Sequence, residues 1–95
     1  MHIITKKRLE EFAQFHPDCR SALEGWHHLV KHNTFQSLVD LRRYFPSADV
    51  VGKLIVFNIG GNKARLITSI HFNRNKLYIR HVLTHEEYNQ GKWKE

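Results

Sequence analysis

The chain has 95 residues, of which 41% are hydrophobic and 25% charged, with a formal net charge of +6. That composition excludes a wholly disordered chain, and the length gives room for one domain, 1–95, that buries about two-thirds of its unfolded surface. One cysteine, Cys19, excludes an internal disulfide framework and a cysteine-only zinc site.

In chain order the pattern reads as helices first and strands second. Met1–Ile4 is short and apolar and reads as a possible strand. Thr5 is placed to cap a helix over residues 6–15, with Leu9, Phe12 and Ala13 at helical spacing. His16-Pro17-Asp18 breaks the chain, and Pro17 suits the start of a second helix running to about His32. Its buried stripe is Ala22, Leu23, Trp26, Leu29 and Val30, so the two helices read as an antiparallel hairpin. Thr34 is placed to cap a third, short helix containing Leu38, Leu41 and Phe45 and stopped at Pro46.

After residue 50 β-formers take over. Leu54–Phe57 reads as a strand, Gly60-Gly61-Asn62 as a turn and Ala64–Phe72 as a second strand. Alternation puts Leu66, Ile70 and Phe72 on one face of that strand and Arg65, Ile67 and His71 on the other. Asn73-Arg74-Asn75 turns the chain into a third strand, Leu77–Leu83. Here Leu77, Ile79, His81 and Leu83 are expected on one face, opposite Tyr78, Arg80 and Val82. Thr84-His85-Glu86-Glu87 matches a capping box, so a short helix starts there and presents His85 and Tyr88. Trp93, in Lys92-Trp93-Lys94, reads as part of a loosely ordered basic tail. The fold class is α+β, with helices packed on one face of an antiparallel meander.

Charge is unevenly spread. Residues 1–50 carry seven Lys/Arg and six Asp/Glu, whereas residues 51–95 carry eight and three. No acid occurs between Asp49 and Glu86, a stretch holding Lys53, Lys63, Arg65, Arg74, Lys76 and Arg80. A phosphate backbone is the commonest partner for such a field; a solvated basic surface or a dock for an acidic protein segment would read the same way. No apolar run is long enough to span a membrane, and residues 1–7 lack the order of a signal peptide, so the expected location is the cytoplasm.

The chemistry-bearing candidates are Asn58, Lys63, Arg65, Arg80, His81, His85 and Tyr88. A guanidinium holds phosphate oxygens bidentately, an imidazole exchanges protons near neutral pH, and a phenol donates a hydrogen bond or stacks on a base. RNA carries its own nucleophile, the 2′-hydroxyl, so its cleavage needs in-line positioning, proton transfer and charge stabilisation. No cofactor is called for, and the missing acids argue against a carboxylate-held magnesium site. His85 and Tyr88 read equally as residues that merely cap the sheet edge. His28 and His32 share a helix face but lack an evident third zinc ligand, and no histidine near Cys19 in sequence reads as its partner.

Two segments resemble a known family. Phe57-Asn58-Ile59-Gly60-Gly61-Asn62-Lys63-Ala64-Arg65-Leu66-Ile67 is similar to the central segment of HigB-family toxins from bacterial type II toxin–antitoxin modules. Tyr78-Ile79-Arg80-His81-Val82-Leu83-Thr84-His85-Glu86-Glu87-Tyr88 resembles their C-terminal segment, with its Thr-His-x-x-Tyr core. His2-Ile3-Ile4, His16-Pro17-Asp18 and Phe45-Pro46-Ser47-Ala48 fit the same family, so the likeness spans nearly the whole chain.

The resemblance implies a compact RelE-like fold and a ribosome-dependent endoribonuclease cutting translated mRNA. It also implies a helix-turn-helix HigA-type antitoxin as partner. By similarity Arg65 is the arginine that contacts the scissile phosphate, and His85 and Tyr88 belong to the catalytic segment. His85 is implied as base or acid, and Tyr88 as substrate positioner or proton donor. Asn58 and Lys63 are implied to orient RNA or its phosphate; Arg80 and His81 are candidates for RNA binding, with a core-facing position the alternative for either. Two positions depart from the family pattern: Ala64 replaces a larger, often aromatic residue, and Asn89 replaces an acid. The competing reading is a non-nucleolytic RelE/ParE-like toxin or binding module that acts through the same basic surface.

Overall fold

The computed structural model describes residues 1–61 and 63–94. Its order is β1 (His2–Ile4), α1 (Lys7–Phe15), a 3₁₀ turn (Pro17–Cys19), α2 (Arg20–Lys31), α3 (Leu38–Tyr44), β2 (Asp49–Val51), β3 (Leu54–Ile59), β4 (Ala64–His71), β5 (Lys76–Thr84), α4 (His85–Gln90) and a closing 3₁₀ turn (Lys92–Lys94). The strands form one sheet in the order β1-β5-β4-β3-β2. The α+β class and the β3-β4-β5 antiparallel meander are present as expected. The sheet is mixed because β1 adds a parallel edge on β5, pairing Ile3 with Leu77, and β2 adds an antiparallel edge on β3. Asn62, part of the turn expected between β3 and β4, lies outside the described residues.

The helices cover one sheet face because their apolar stripes match it. Leu9, Ala13, Leu23, Trp26, Val30 and Leu41 come from the helical side, and Ile55, Phe57, Leu66, Leu77 and Ile79 from the sheet. Phe35 is fully buried and meets Phe45 and Tyr44 ring to ring. Its burial draws the 33–36 segment out of helix. Hence Ser37, not Thr34, caps α3, its Oγ accepting the Asp40 amide at 3.3 Å. Thr5 does not cap α1 either. Its backbone sits at φ +74°, a left-handed conformation unfavourable to a β-branched residue, and the helix begins after it without a side-chain cap. Leu29, expected in the buried stripe of α2, is 38% exposed.

The opposite sheet face has its own small core. Val56 and Ile67 are buried there beneath Trp93, with Val51, Leu54, Leu83 and Tyr88 around them. Trp93 is therefore a packed residue, not part of a loose tail. Val56 and Ile67 leave apolar surface on the outer face, and the C-terminal turn covers it.

β5 changes phase midway. Ile67 pairs with His81 but Thr68 pairs with Ile79, leaving Arg80 as an extra, bulged residue. After the bulge Val82 joins the helix-side core with Leu77 and Ile79, while Leu83 joins the outer cluster with Val56. The expected shared face for Leu77, Ile79, His81 and Leu83 is thus split. Strict alternation fails at a one-residue insertion, and no residue type announces one here.

Candidate functional site

The site lies where the end of β3, the start of β4 and the end of β5 meet beneath α4. Arg65 enters from β4 on the outer face, beside Asn58 of β3 and Leu83 of β5 in the strand register. Directly paired residues of antiparallel strands point the same way, so Asn58 and Arg65 stand side by side. Arg65 is only 8% exposed, yet Asn58 is open to solvent.

α4 brings the remaining groups. It has only six residues, too short to be stable alone, and its start is fixed by the predicted capping box. Thr84 Oγ1 accepts the Glu87 amide at 3.2 Å, and Glu87 Oε1 accepts the Thr84 amide at 3.0 Å. Its end is fixed by Gly91 at φ +73°, whose amide donates to the Tyr88 carbonyl at 3.1 Å. Between those two anchors His85 and Tyr88 both reach Arg65. Nη2 of Arg65 lies 3.2 Å from Nδ1 of His85. The guanidinium carbon stands 5.5 Å from the centre of the Tyr88 ring, within cation–π range. Arg65 Nη1 also donates to the Ala64 carbonyl at 3.2 Å.

Two residues outside the expected set complete the arrangement. The Asn89 amide lies 3.2 Å from Nε2 of His85, so both ring nitrogens are engaged. The signal was the spacing of four between His85 and Asn89 on a helix, together with the departure from the family pattern at that position. Trp93 stacks on Tyr88 with centroids 4.9 Å apart and rings inclined by 14°, and its Nε1 donates to the Tyr88 carbonyl at 2.9 Å. Nothing in the local sequence marks Trp93 as a neighbour of Tyr88; the turn at Gly91 makes it one.

The other predicted residues lie apart from this cluster. Lys63 points its Nζ to Asp18, 3.6 Å away, with both side chains more than half exposed. Arg80 is exposed at the bulge. His81 is half-buried, and desolvation, then the charges of Arg8 and Arg80, hold its imidazole below the ordinary proton affinity. Arg80 and His81 thus form a basic group with Arg8 of α1.

Elsewhere, a groove of about 550 Å³ runs between α1 and α2, its walls including Lys6, Arg20, His27 and Lys31. His27 in it also prefers its neutral form, through desolvation and the nearby charges of Lys6, Lys31 and His32. The His28 and His32 rings meet at 4.4 Å with their planes inclined by 51°, and among the described residues no group of three His, Cys, Asp or Glu is placed to hold a metal ion. Burial pushes the Cys19 thiol up, which keeps it protonated and unreactive. No helix among the described residues is long and apolar enough to cross a membrane.

Comparison with known proteins agrees with this geometry's family. Residues 19–91 match the family model described as HigB_toxin, RelE-like toxic component of a toxin–antitoxin system. The chain is 36% identical over 91 residues to the mRNA interferase toxin HigB of Escherichia coli K12, covering 93% of this chain and 88% of that one. It has the same identity and coverage with mRNA interferase HigB of Shigella flexneri. With mRNA interferase HigB of Escherichia coli O6:H1 it is 32% identical over 93 residues, covering 95% and 90%. The α+β fold with helices on a five-stranded sheet is that of a RelE-like toxin, and a toxin of this kind has an antitoxin as partner. The chain belongs to the HigB family of RelE-like toxins, the toxic components of toxin–antitoxin systems.

Proposed function

We propose that this chain is a ribosome-dependent endoribonuclease that cuts translated mRNA in the cytoplasm and is neutralised by a HigA-type helix-turn-helix antitoxin. The observation that carries the reading is the convergence of Arg65, His85 and Tyr88 at one place on the outer sheet face, where His85 is open to solvent. The relatives' printed activity, mRNA interferase, points the same way.

Arg65 meets the non-bridging oxygens of the scissile phosphate and stabilises charge as it develops on phosphorus. His85 accepts the proton of the neighbouring 2′-hydroxyl, whose oxygen forms a bond to phosphorus. The bond from phosphorus to the 5′ oxygen breaks, and that oxygen leaves with the Tyr88 phenolic proton, which solvent restores. The products are a 2′,3′-cyclic phosphate and a 5′-hydroxyl end. The step needs no group beyond these side chains and the RNA. Asn58, beside Arg65, orients the strand. Lys63, Arg80 and His81 extend the basic surface toward ribosome-bound RNA.

The test is primer extension on a reporter mRNA during induced expression, with translation running or blocked. Discrete cuts inside the coding region that vanish when translation is blocked are the expected result. Growth arrest without new RNA ends would overturn the nuclease reading in favour of a toxin that acts by binding.

A further inference from the structure

Asn89 touches the imidazole that serves as the proposed base, and hydrogen-bond logic fixes what it does. A guanidinium has donors and no acceptor, so the Arg65–His85 contact requires a lone pair on Nδ1. The neutral ring then carries its proton on Nε2. That proton faces Asn89, 3.2 Å away. The structure sets the amide nitrogen, Nδ2, against Nε2, but the two ends of an amide exchange by a half-turn and only the oxygen suits an N–H, so hydrogen-bond logic turns Oδ1 to the ring.

Resting on the reading of His85 as the base, we propose that Asn89 is a positioning residue: it holds His85 as the Nε2–H tautomer, making Nδ1 the atom that takes the 2′-hydroxyl proton. The substrate phosphate competes with Nδ1 for Nη2 of Arg65. As Arg65 turns to the phosphate, Nδ1 is uncovered at the place where the ribose hydroxyl arrives. Asn89 still holds the ring against rotation at that moment. Charged and titratable groups on the elements packed against α4 include Arg65 of β4, Arg80 and His81 of β5, and Lys92 and Lys94 of the closing turn, beside Glu86, Glu87 and Tyr88 of α4 itself. Glu87 is committed to the capping box. An amide at position 89 orients the ring without attracting a second proton to it, whereas a carboxylate would do both.

The experiment uses the whole chain with nitrogen-15-labelled histidine, and single-turnover cleavage on mRNA-programmed ribosomes. At mildly alkaline pH, His85 of the wild type is expected as the Nε2–H tautomer with a protected ring proton. Asn89→Ala loses that protection and slows cleavage by about tenfold at saturating ribosomes, short of the loss in His85→Ala. Asn89→Asp keeps the protection and the cleavage, and moves the acid limb of the pH profile to higher pH, which a merely structural residue would not do. A wild-type Nδ1–H tautomer, or an Asn89→Ala variant with undiminished cleavage and unaltered pH profile, would overturn the proposal. Full cleavage by His85→Ala would instead overturn the assignment of His85 as base, so the two failures are told apart.

Discussion

The Trp93 indole lies nearly parallel to the Tyr88 ring, 4.9 Å from it, while its N–H is bonded to the Tyr88 carbonyl. Side chain and backbone of the same tyrosine are thus held by one residue. Trp93→Ala is expected to cost about 3 kcal/mol, since it also uncovers Val56 and Ile67. Trp93→Phe keeps the stack but loses the bond to the carbonyl, at about 1 kcal/mol. Denaturant midpoints measure both. Cleavage should fall more than stability in the Ala variant, because Tyr88 and α4 lose their brace.

Arg65→Lys tests whether charge or the forked guanidinium matters. A lysine retains the charge but cannot at once bond the Ala64 carbonyl, His85 and a phosphate. Cleavage is expected to drop by about 10²–10³-fold, close to Arg65→Ala, as when a preorganised donor is removed. Circular dichroism and thermal unfolding should show the fold retained.

Two histidines make stability depend on pH. His27 and His81 are held below their ordinary proton affinity, chiefly by desolvation. Near and below pH of about 6.5 the unfolded chain binds protons that the folded chain refuses, so stability is full above that value and falls as the pH drops. The fall ends once the pH passes below the folded-state values. Unfolding midpoints measured across this range should slope downward toward acid, and His27→Asn with His81→Asn should flatten the slope.

The Lys63–Asp18 pair is exposed, and such pairs contribute about 0–1 kcal/mol. Asp18→Asn should leave the unfolding midpoint nearly unchanged while freeing Lys63. Lys63→Ala should reduce the salt dependence of ribosome binding by about one unit of slope if Lys63 neutralises an RNA phosphate. An unchanged slope would remove Lys63 from the RNA-binding set.

What the sequence revealed tracks how local each cause is. The capping box at Thr84–Glu87, the break at Pro17 and the faces of β4 depend on residues a few positions apart, and all three were readable. The Arg65–His85 contact spans 20 positions; composition and spacing leave two readings of His85, a member of a phosphoryl-transfer set with Arg65 and Tyr88 or a cap on the sheet edge, and only family resemblance favours the first. Thr34 gave the wrong cap because the decisive event is the burial of Phe35 in a distant core. Trp93 looked like a tail residue because its charged neighbours are visible in sequence and its apolar floor, Val56 and Ile67, is not. Asn89 drew notice only as an oddity, since a single amide has no meaning until a ring is placed beside it.

The bulge at Arg80 carries a consequence for which side of the protein does the work. A strand delivers its end to one side of the sheet or the other by parity, and one added residue reverses that parity. Were β5 to run in unbroken alternation with Arg80 kept in line, Leu83 would turn toward the helices with Leu77 and Ile79, and α4 would set out from the wrong phase, carrying His85 away from Arg65. The setting aside of one residue between Ile79 and His81, rather than the identity of any side chain there, thus unites the two halves of the site.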